Sequence, residues 1–315
     1  MNVQCGMLRG VFPPLPTPFT DDALDTGLLR DTVALLMRTR LAGVLAVGTN
    51  GESFLLDPDE ADRVVRTTRD AMPDDRPVLA GTGCDSTRAT IDACRRAADN
   101  GATHALVRPP VSYSRFMTQD VLTTHYARIA DVSPIPVLLY NQPAVFGAEL
   151  LPATVARLAR HENIAGLKDS SGNVSHVSEV LARVPDAFSV VTGTAAIMYA
   201  GLLSGTSGTV VAIANVVPTL LVQLYDDVMS GQLHRALALQ RAIAPLAKAV
   251  TVQHGVAGLK AAMALAGFPV SVPRLPLAAA TPDVVEELTT MLRQLEAFTG
   301  QALLGAAAGG AGATR

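Results

Sequence analysis

Apolar residues along the chain fall in short, nearly continuous runs, and each run is followed by a longer stretch with apolar positions at helical spacing. The runs at 41–48, 77–83, 104–108, 136–140, 164–168, 188–192 and 207–213 read as buried strands. A proline-rich segment, 10–19, can form only a short, irregular first strand running into a rigid turn. Between them the spacing predicts helices over 28–40, 86–100 and 118–131, with others opened by Asp57-Pro58 and by Pro152 and one running through Ala200. Asp57 with Glu60 three positions later has the form of a capping box. Strand–helix units recurring every roughly 25–30 residues predict an α/β fold, a closed parallel (β/α)8 TIM barrel. An open doubly wound sheet is the alternative. Against it, no Gly-x-Gly-x-x-Gly follows the first strand.

After Pro218 the pattern is wholly helical, over 219–230, 232–250 with a kink expected at Pro245, 255–266 and 281–298. The chain therefore divides into a catalytic barrel (1–230), a C-terminal helical extension (231–300) and a low-complexity tail (301–315) expected to be disordered.

One strand end stands out. In Ile164-Ala165-Gly166-Leu167-Lys168-Asp169 a lysine closes an apolar run. Strict alternation would put Ile164, Gly166 and Lys168 on one face and Ala165, Leu167 and Asp169 on the other. The ammonium then faces an interior without Asp169 to neutralise it, and burial favours the neutral, nucleophilic amine. Strand ends of a barrel converge on one mouth, which also collects Gly48, Thr49, Asn50, Arg108, Tyr140 and Gly193. Tyr140 precedes Lys168 by one strand–helix unit, so the two should come from neighbouring strands. An imine-forming enzyme needs an amine, a proton carrier and donors for a substrate carboxylate. Lys168, Tyr140 and the Gly48-Thr49-Asn50-Gly51 bend supply one of each.

Composition narrows the partners. The hydrophobic share of 49% against 17% charged suits a packed enzyme, and a net charge of −3 argues against nucleic acid. Cys5, Cys84 and Cys94 are too few and too scattered for a disulfide framework. With no long apolar run, the expectation is a cytoplasmic protein without a membrane segment. The histidines, His176 among them, show no metal-binding spacing and read as core or surface residues, while Glu52 reads as a loop anchor.

Five motifs in order, Gly10-Val11 with Thr17-Pro18-Phe19, Gly48-Thr49-Asn50-Gly51-Glu52, Tyr140-Asn141-x-Pro143, Gly166-Leu167-Lys168-Asp169, and Gly205 and Gly208 before Val210, resemble the dihydrodipicolinate synthase and N-acetylneuraminate lyase family of class I aldolases. The resemblance spans residues 10–298. Within the family, the stretches 79–87, 133–140 and 168–172 look most like those of the 4-hydroxy-2-oxoglutarate aldolases. It implies that Lys168 forms an imine with pyruvate, with no other cofactor and no metal. It further implies that Tyr140 shuttles protons, that Thr49 relays them, and that Thr49, Asn50 and Gly48 hold the pyruvate carboxylate. Ser170, Val145, Gly193 and Val210 are the further substrate-binding candidates, and a homotetramer built from dimers is the implied assembly.

Two departures bear on the substrate. The synthases of the family lend a tyrosine across a subunit interface from a Pro-Tyr-Tyr run. Here the run is Pro109-Pro110-Val111-Ser112-Tyr113, so Tyr113 fills that role only if the loop is longer. The synthases also carry an arginine two residues after the Tyr-Asn-x-Pro proline, where this chain has Val145. A distal carboxylate would then fall to Arg108, Arg115, Ser170 or Ser171. The leading reading is a pyruvate-forming lyase acting on a 4-hydroxy-2-oxo acid. The alternatives are a 2-oxo-3-deoxy sugar acid dehydratase, a dihydrodipicolinate synthase and a catalytically silent oxo-acid-binding protein.

Overall fold

The computed structural model describes residues 7–309, so Cys5 and residues 310–315 lie outside it. Eight parallel strands, β1 (Gly10–Phe12), β2 (Val44–Ala46), β3 (Val78–Gly81), β4 (His104–Val107), β5 (Val137–Asn141), β6 (Ile164–Asp169), β7 (Ser189–Thr192) and β8 (Gly208–Val210), pair in sequence order from β2 to β8, with β1 beside β8. The proline-rich stretch completes the ring. Prolines cannot donate, but Leu15 N–H reaches Leu45 O at 2.8 Å and Pro13 O accepts from Leu45 N–H at 3.0 Å, which joins β1 to β2. The result is the predicted TIM barrel.

Helices α1 (Thr26–Leu36), α2 (Pro58–Ala71), α3 (Thr87–Asp99), α4 (Gln119–Val132), α5 (Pro152–Leu158), α6 (Val174–Leu181), α7 (Met198–Leu203) and α8 (Pro218–Met229) surround it. The α2 capping box is formed as its sequence implies: Glu60 N–H donates to Asp57 at 2.8 Å and Asp57 N–H to the Glu60 side chain at 3.1 Å. The C-terminal helices are α9 (Leu233–Lys248), α10 (Gly255–Leu265) and α11 (Pro282–Thr299). Pro245 does not end α9; the helix runs on through it and widens into a π turn at Ala249–Gln253. The first half of the tail is packed. Leu303 is buried in the core and Gly305 N–H bonds Leu265 O at 2.9 Å, so the expected disorder does not extend to residues 301–309.

Phe12, Leu45, Leu79, Leu106, Leu138, Tyr140, Val191 and Val210 fill the barrel interior, while Val107, Leu139, Leu167 and Val190 face the helices. Alternation along β6 is broken once. Val137 pairs with Ile164 but Leu138 pairs with Gly166, so Ala165 is an extra residue. Ile164 consequently joins the outer cluster and Ala165 packs against the inner one, the reverse of strict alternation. Beyond the bulge the alternation holds and carries Lys168 inward.

Among the described residues no helix is long and apolar enough to cross a membrane.

Candidate active site

Tyr140 and Lys168 are register partners on β5 and β6. Both side chains are buried, Lys168 to 5% exposure, and the lysine Nζ lies 4.2 Å from the centre of the tyrosine ring. The ring is held edge-on by Phe146 at 5.0 Å, and its hydroxyl donates to Gln142 Oε1 at 2.5 Å. Gln142 is the variable position of the Tyr-Asn-x-Pro motif, and the motif's spacing, two residues from the phenol, is the signal that points to it.

Gly193, at the end of β7, makes room for the lysine. A Cβ there would lie 2.9 Å from Lys168 Cε and 1.8 Å from Ser170 Oγ. A side chain there would crowd both groups and force them to shift. Ser170 Oγ is itself buried beside the lysine without a hydrogen-bond partner, and Val210 lies in the apolar floor formed by the barrel interior.

The β2 end supplies the bend. Val47 has φ of +53°, a left-handed conformation that costs a β-branched residue on the order of 1–3 kcal/mol. Gly81 on the neighbouring strand permits it, since a Cβ there would lie 2.1 Å from Val47 O. The chain then makes a tight turn, Thr49–Gly51, in which Gly51 and Ser53 N–H donate to Gly48 O and Glu52 N–H donates to Thr49 O. The N–H groups of Thr49 and Asn50 stand at its open end.

Glu52 anchors this turn, and its partners come from helix α10 and from the segment between α10 and α11. Its carboxylate is ion-paired with Lys260 Nζ at 2.6 Å and accepts from Arg274 N–H at 2.8 Å. Lys260 is 2% exposed; burial pushes its ammonium below the ordinary lysine value while Glu52 opposes that fall. The Arg274 guanidinium grips Glu60 through two bonds of 2.7 Å and also reaches Asp22. Lys260 is the one charge in the apolar helix α10, the signal that could have singled it out. Lys260→Met is expected to destabilise the fold by about 3–5 kcal/mol, because it leaves Glu52 charged and buried. Urea unfolding measures this, and a loss below about 1 kcal/mol would mean the carboxylate finds water instead.

Gly48, Thr49, Tyr140, Phe146, Cys84 and Arg108 border one cavity of about 160 Å³. It reaches the phenol, with the amine against the ring of the same tyrosine. Arg108 is already engaged: it bonds Asp85 at 2.9 Å and lies over the Phe54 ring at 4.9 Å. Burial alone would raise the Asp85 carboxyl, but Ser112, Val111 N–H and Arg108 hold it well below the usual carboxylate range. Arg115 stacks on Phe116 at 4.6 Å, and Ser171 donates to Asp169.

The fold thus brings together Lys168, Tyr140, Gly193, Ser170, Thr49 and Gly48, with Val210 beneath and Asn50 half-buried on the turn. Two candidates are exposed instead. Tyr113 is 66% exposed on the loop after β4, and Val145 is 45% exposed on the helical turn Pro143–Phe146.

The Dihydrodipicolinate synthetase family profile matches residues 7–295. The 4-hydroxy-tetrahydrodipicolinate synthase of Methanothrix thermoacetophila is 36% identical over 296 residues, covering 93% of this chain and 99% of that one. The synthase of Syntrophus aciditrophicus is 34% identical, covering 91% and 98%. Among solved structures, the dihydrodipicolinate synthase of Thermotoga maritima superposes with a TM-score of 0.88 at 29% identity, covering 92% and 99%. A prophage protein of the family from E. coli K12, solved in complex with pyruvate, gives a TM-score of 0.86 at 30% identity over 92% of this chain and 99% of its own. These relatives carry the synthase or family name, so they support the family and not the closer likeness to the 4-hydroxy-2-oxoglutarate aldolases. With the barrel, the inward lysine and its tyrosine in place, the chain belongs to the Dihydrodipicolinate synthetase family of class I lyases.

Proposed function

We propose that the protein forms an imine between Lys168 and pyruvate and makes or breaks a carbon–carbon bond at the adjacent carbon of a 4-hydroxy-2-oxo acid. The observation that carries this is the buried Lys168 amine set 4.2 Å from the Tyr140 ring at the mouth of the barrel. The neutral amine attacks the ketone carbon, a proton reaches the oxygen, and water leaves to give the protonated imine. That cation draws the electron pair of a breaking C3–C4 bond into an enamine as the aldehyde departs, and protonation at C3 followed by hydrolysis releases pyruvate. Condensation is the same sequence reversed.

Tyr140 carries the protons, its hydroxyl held meanwhile by Gln142, and Thr49 relays them. The free N–H groups of Thr49 and Asn50 hold the pyruvate carboxylate. Tyr113, exposed on its loop, is available to a second subunit in a homotetramer. The pyruvate complex of the E. coli K12 relative supports the choice of oxo acid.

Val145, 45% exposed on the turn Pro143–Phe146, stands where the synthases of the family carry the arginine that holds their aldehyde's carboxylate, which weighs against the synthase's substrate. The names of the relatives favour a second reading, 4-hydroxy-tetrahydrodipicolinate synthase. Product analysis separates them. Pyruvate released from 4-hydroxy-2-oxoglutarate supports the lyase, whereas turnover of pyruvate only with the synthase's aldehyde assigns the synthase. Loss of one water from a 2-oxo-3-deoxy sugar acid, with its carbon chain retained, assigns a dehydratase. An imine without turnover of any of them assigns a binding protein.

A further inference from the structure

Behind the strand ends that carry Tyr140 and Lys168, on the helix side of the wall, lies a ring of hydrogen bonds closed by one ion-pair contact. Asp169, fully buried, accepts from Asn141 Nδ2 at 2.7 Å and from the N–H and hydroxyl of Ser171 at 3.0 and 2.6 Å. Asn141 Oδ1 accepts from Leu150 N–H at 3.0 Å. His176, on α6, closes the ring, with Nε2 2.9 Å from Leu150 O and Nδ1 3.1 Å from Asp169 Oδ2. Ends of β5 and β6, the loop before α5 and the first turn of α6 are thereby tied together.

The ring fixes a charge state. A carbonyl oxygen only accepts, so Nε2 must carry a proton. Nδ1 faces a carboxylate that already receives three donors, and a bare nitrogen lone pair there would be repelled. A neutral imidazole has one N–H, so two acceptors facing its two nitrogens require the imidazolium. We propose that His176, as an imidazolium paired with Asp169, is a positioning residue for Lys168, holding β5 and β6 in the register that keeps the amine against Tyr140. The inference rests on the imine reading of Lys168.

The charged surroundings agree. The Asp169 carboxylate paired with it raises His176 above the ordinary histidine value against the opposing effect of burial, and Glu149 adds to the rise. Glu179 on α6 is taken up by Arg183 at 4.0 Å, Arg157 on α5 lies against Asp120 at 3.3 Å, and α7 has no charged residue. Burial would raise Asp169, but His176, Asn141 and Ser171 hold it below the ordinary carboxylate value. A raised histidine supports the native state fully below its unfolded value and loses that support as pH climbs through its folded one. A depressed aspartate gives support above its unfolded value and loses it in acid. The pair is therefore intact between the lowered titration of Asp169 and the raised titration of His176, and is lost as pH climbs through the latter.

The test follows borohydride-trapped adduct formation with pyruvate across pH in wild type and His176→Gln, with His176→Ala as a second variant and circular dichroism as the check on folding. Below the His176 titration the Gln variant should form adduct about tenfold more slowly, the scale of loss for a slightly misplaced reacting group. That ratio should fall towards one as pH rises through the His176 titration, read independently from its ring NMR signals. A ratio of one throughout, a ratio that does not change with pH, or a His176 that titrates at or below the ordinary histidine value overturns the inference alone. Absence of any adduct in the wild type overturns both it and the imine reading.

Discussion

Lys168→Ala is expected to abolish the borohydride-trappable adduct with pyruvate and to lower turnover by roughly 10⁴-fold or more, the scale seen when a covalent nucleophile is removed. Without the amine there is no imine, and the carbon beside the ketone has no cationic electron sink. The fold should tolerate the change, because among the described residues the lysine has no carboxylate partner whose charge would be stranded, and its strand stays hydrogen-bonded to β5 and β7 on both sides. Mass spectrometry of the trapped protein reads the first effect, and a pyruvate-release assay with 4-hydroxy-2-oxoglutarate reads the second. An adduct that persists in the variant would move the nucleophile to another amine. Lys260 is the other lysine that is buried, and it is held by Glu52.

Tyr140→Phe separates the phenol's chemistry from its packing. The ring would still support Lys168 and meet Phe146, whose centroid is 5.0 Å away, but the hydroxyl that donates to Gln142 would be gone. Loss of a general acid–base group costs about 10²–10⁴-fold. The drop should appear in kcat and in the rate of imine formation while the endpoint yield of adduct is retained, since the amine remains. Unchanged kinetics would take proton transfer away from Tyr140 and give it to a water or to Thr49.

The two variants differ in what they leave behind. With the proposed roles, the first removes the covalent partner, so neither rate nor yield should survive; the second removes only the proton carrier, so the imine should still accumulate, slowly. A single trapping experiment over time therefore distinguishes the two roles.

Several parts of this arrangement are local and could be read directly. The strands are buried on both faces and so appear as apolar runs; the α2 cap appears as Asp57, Pro58 and Glu60; and the inward lysine follows from the two-residue period over the last part of β6. Other parts were not. The extra residue Ala165 reverses the faces at the start of β6, because a bulge answers to its neighbouring strand and leaves no mark in an apolar run. The helix start at Thr26 rather than 28 comes from Asp25, whose side chain accepts from Leu28 N–H at 2.9 Å. The packed segment 301–309 draws its order from α10, not from its own Ala- and Gly-rich composition.

Sequence by itself determined the barrel, the strand ends that face its mouth, and the amine and phenol on adjacent strands, since periodicity and strand order are properties of neighbouring residues. Tertiary structure alone decided what surrounds them: Gly193 vacating space for the lysine, Lys260 and Arg274 arriving to hold Glu52, His176 closing a ring with Asp169, and Arg108 being tied to Asp85. Those choices depend on groups far apart in the chain that meet only when the barrel closes, where burial makes an unmatched charge or hydrogen bond costly enough to select its partner.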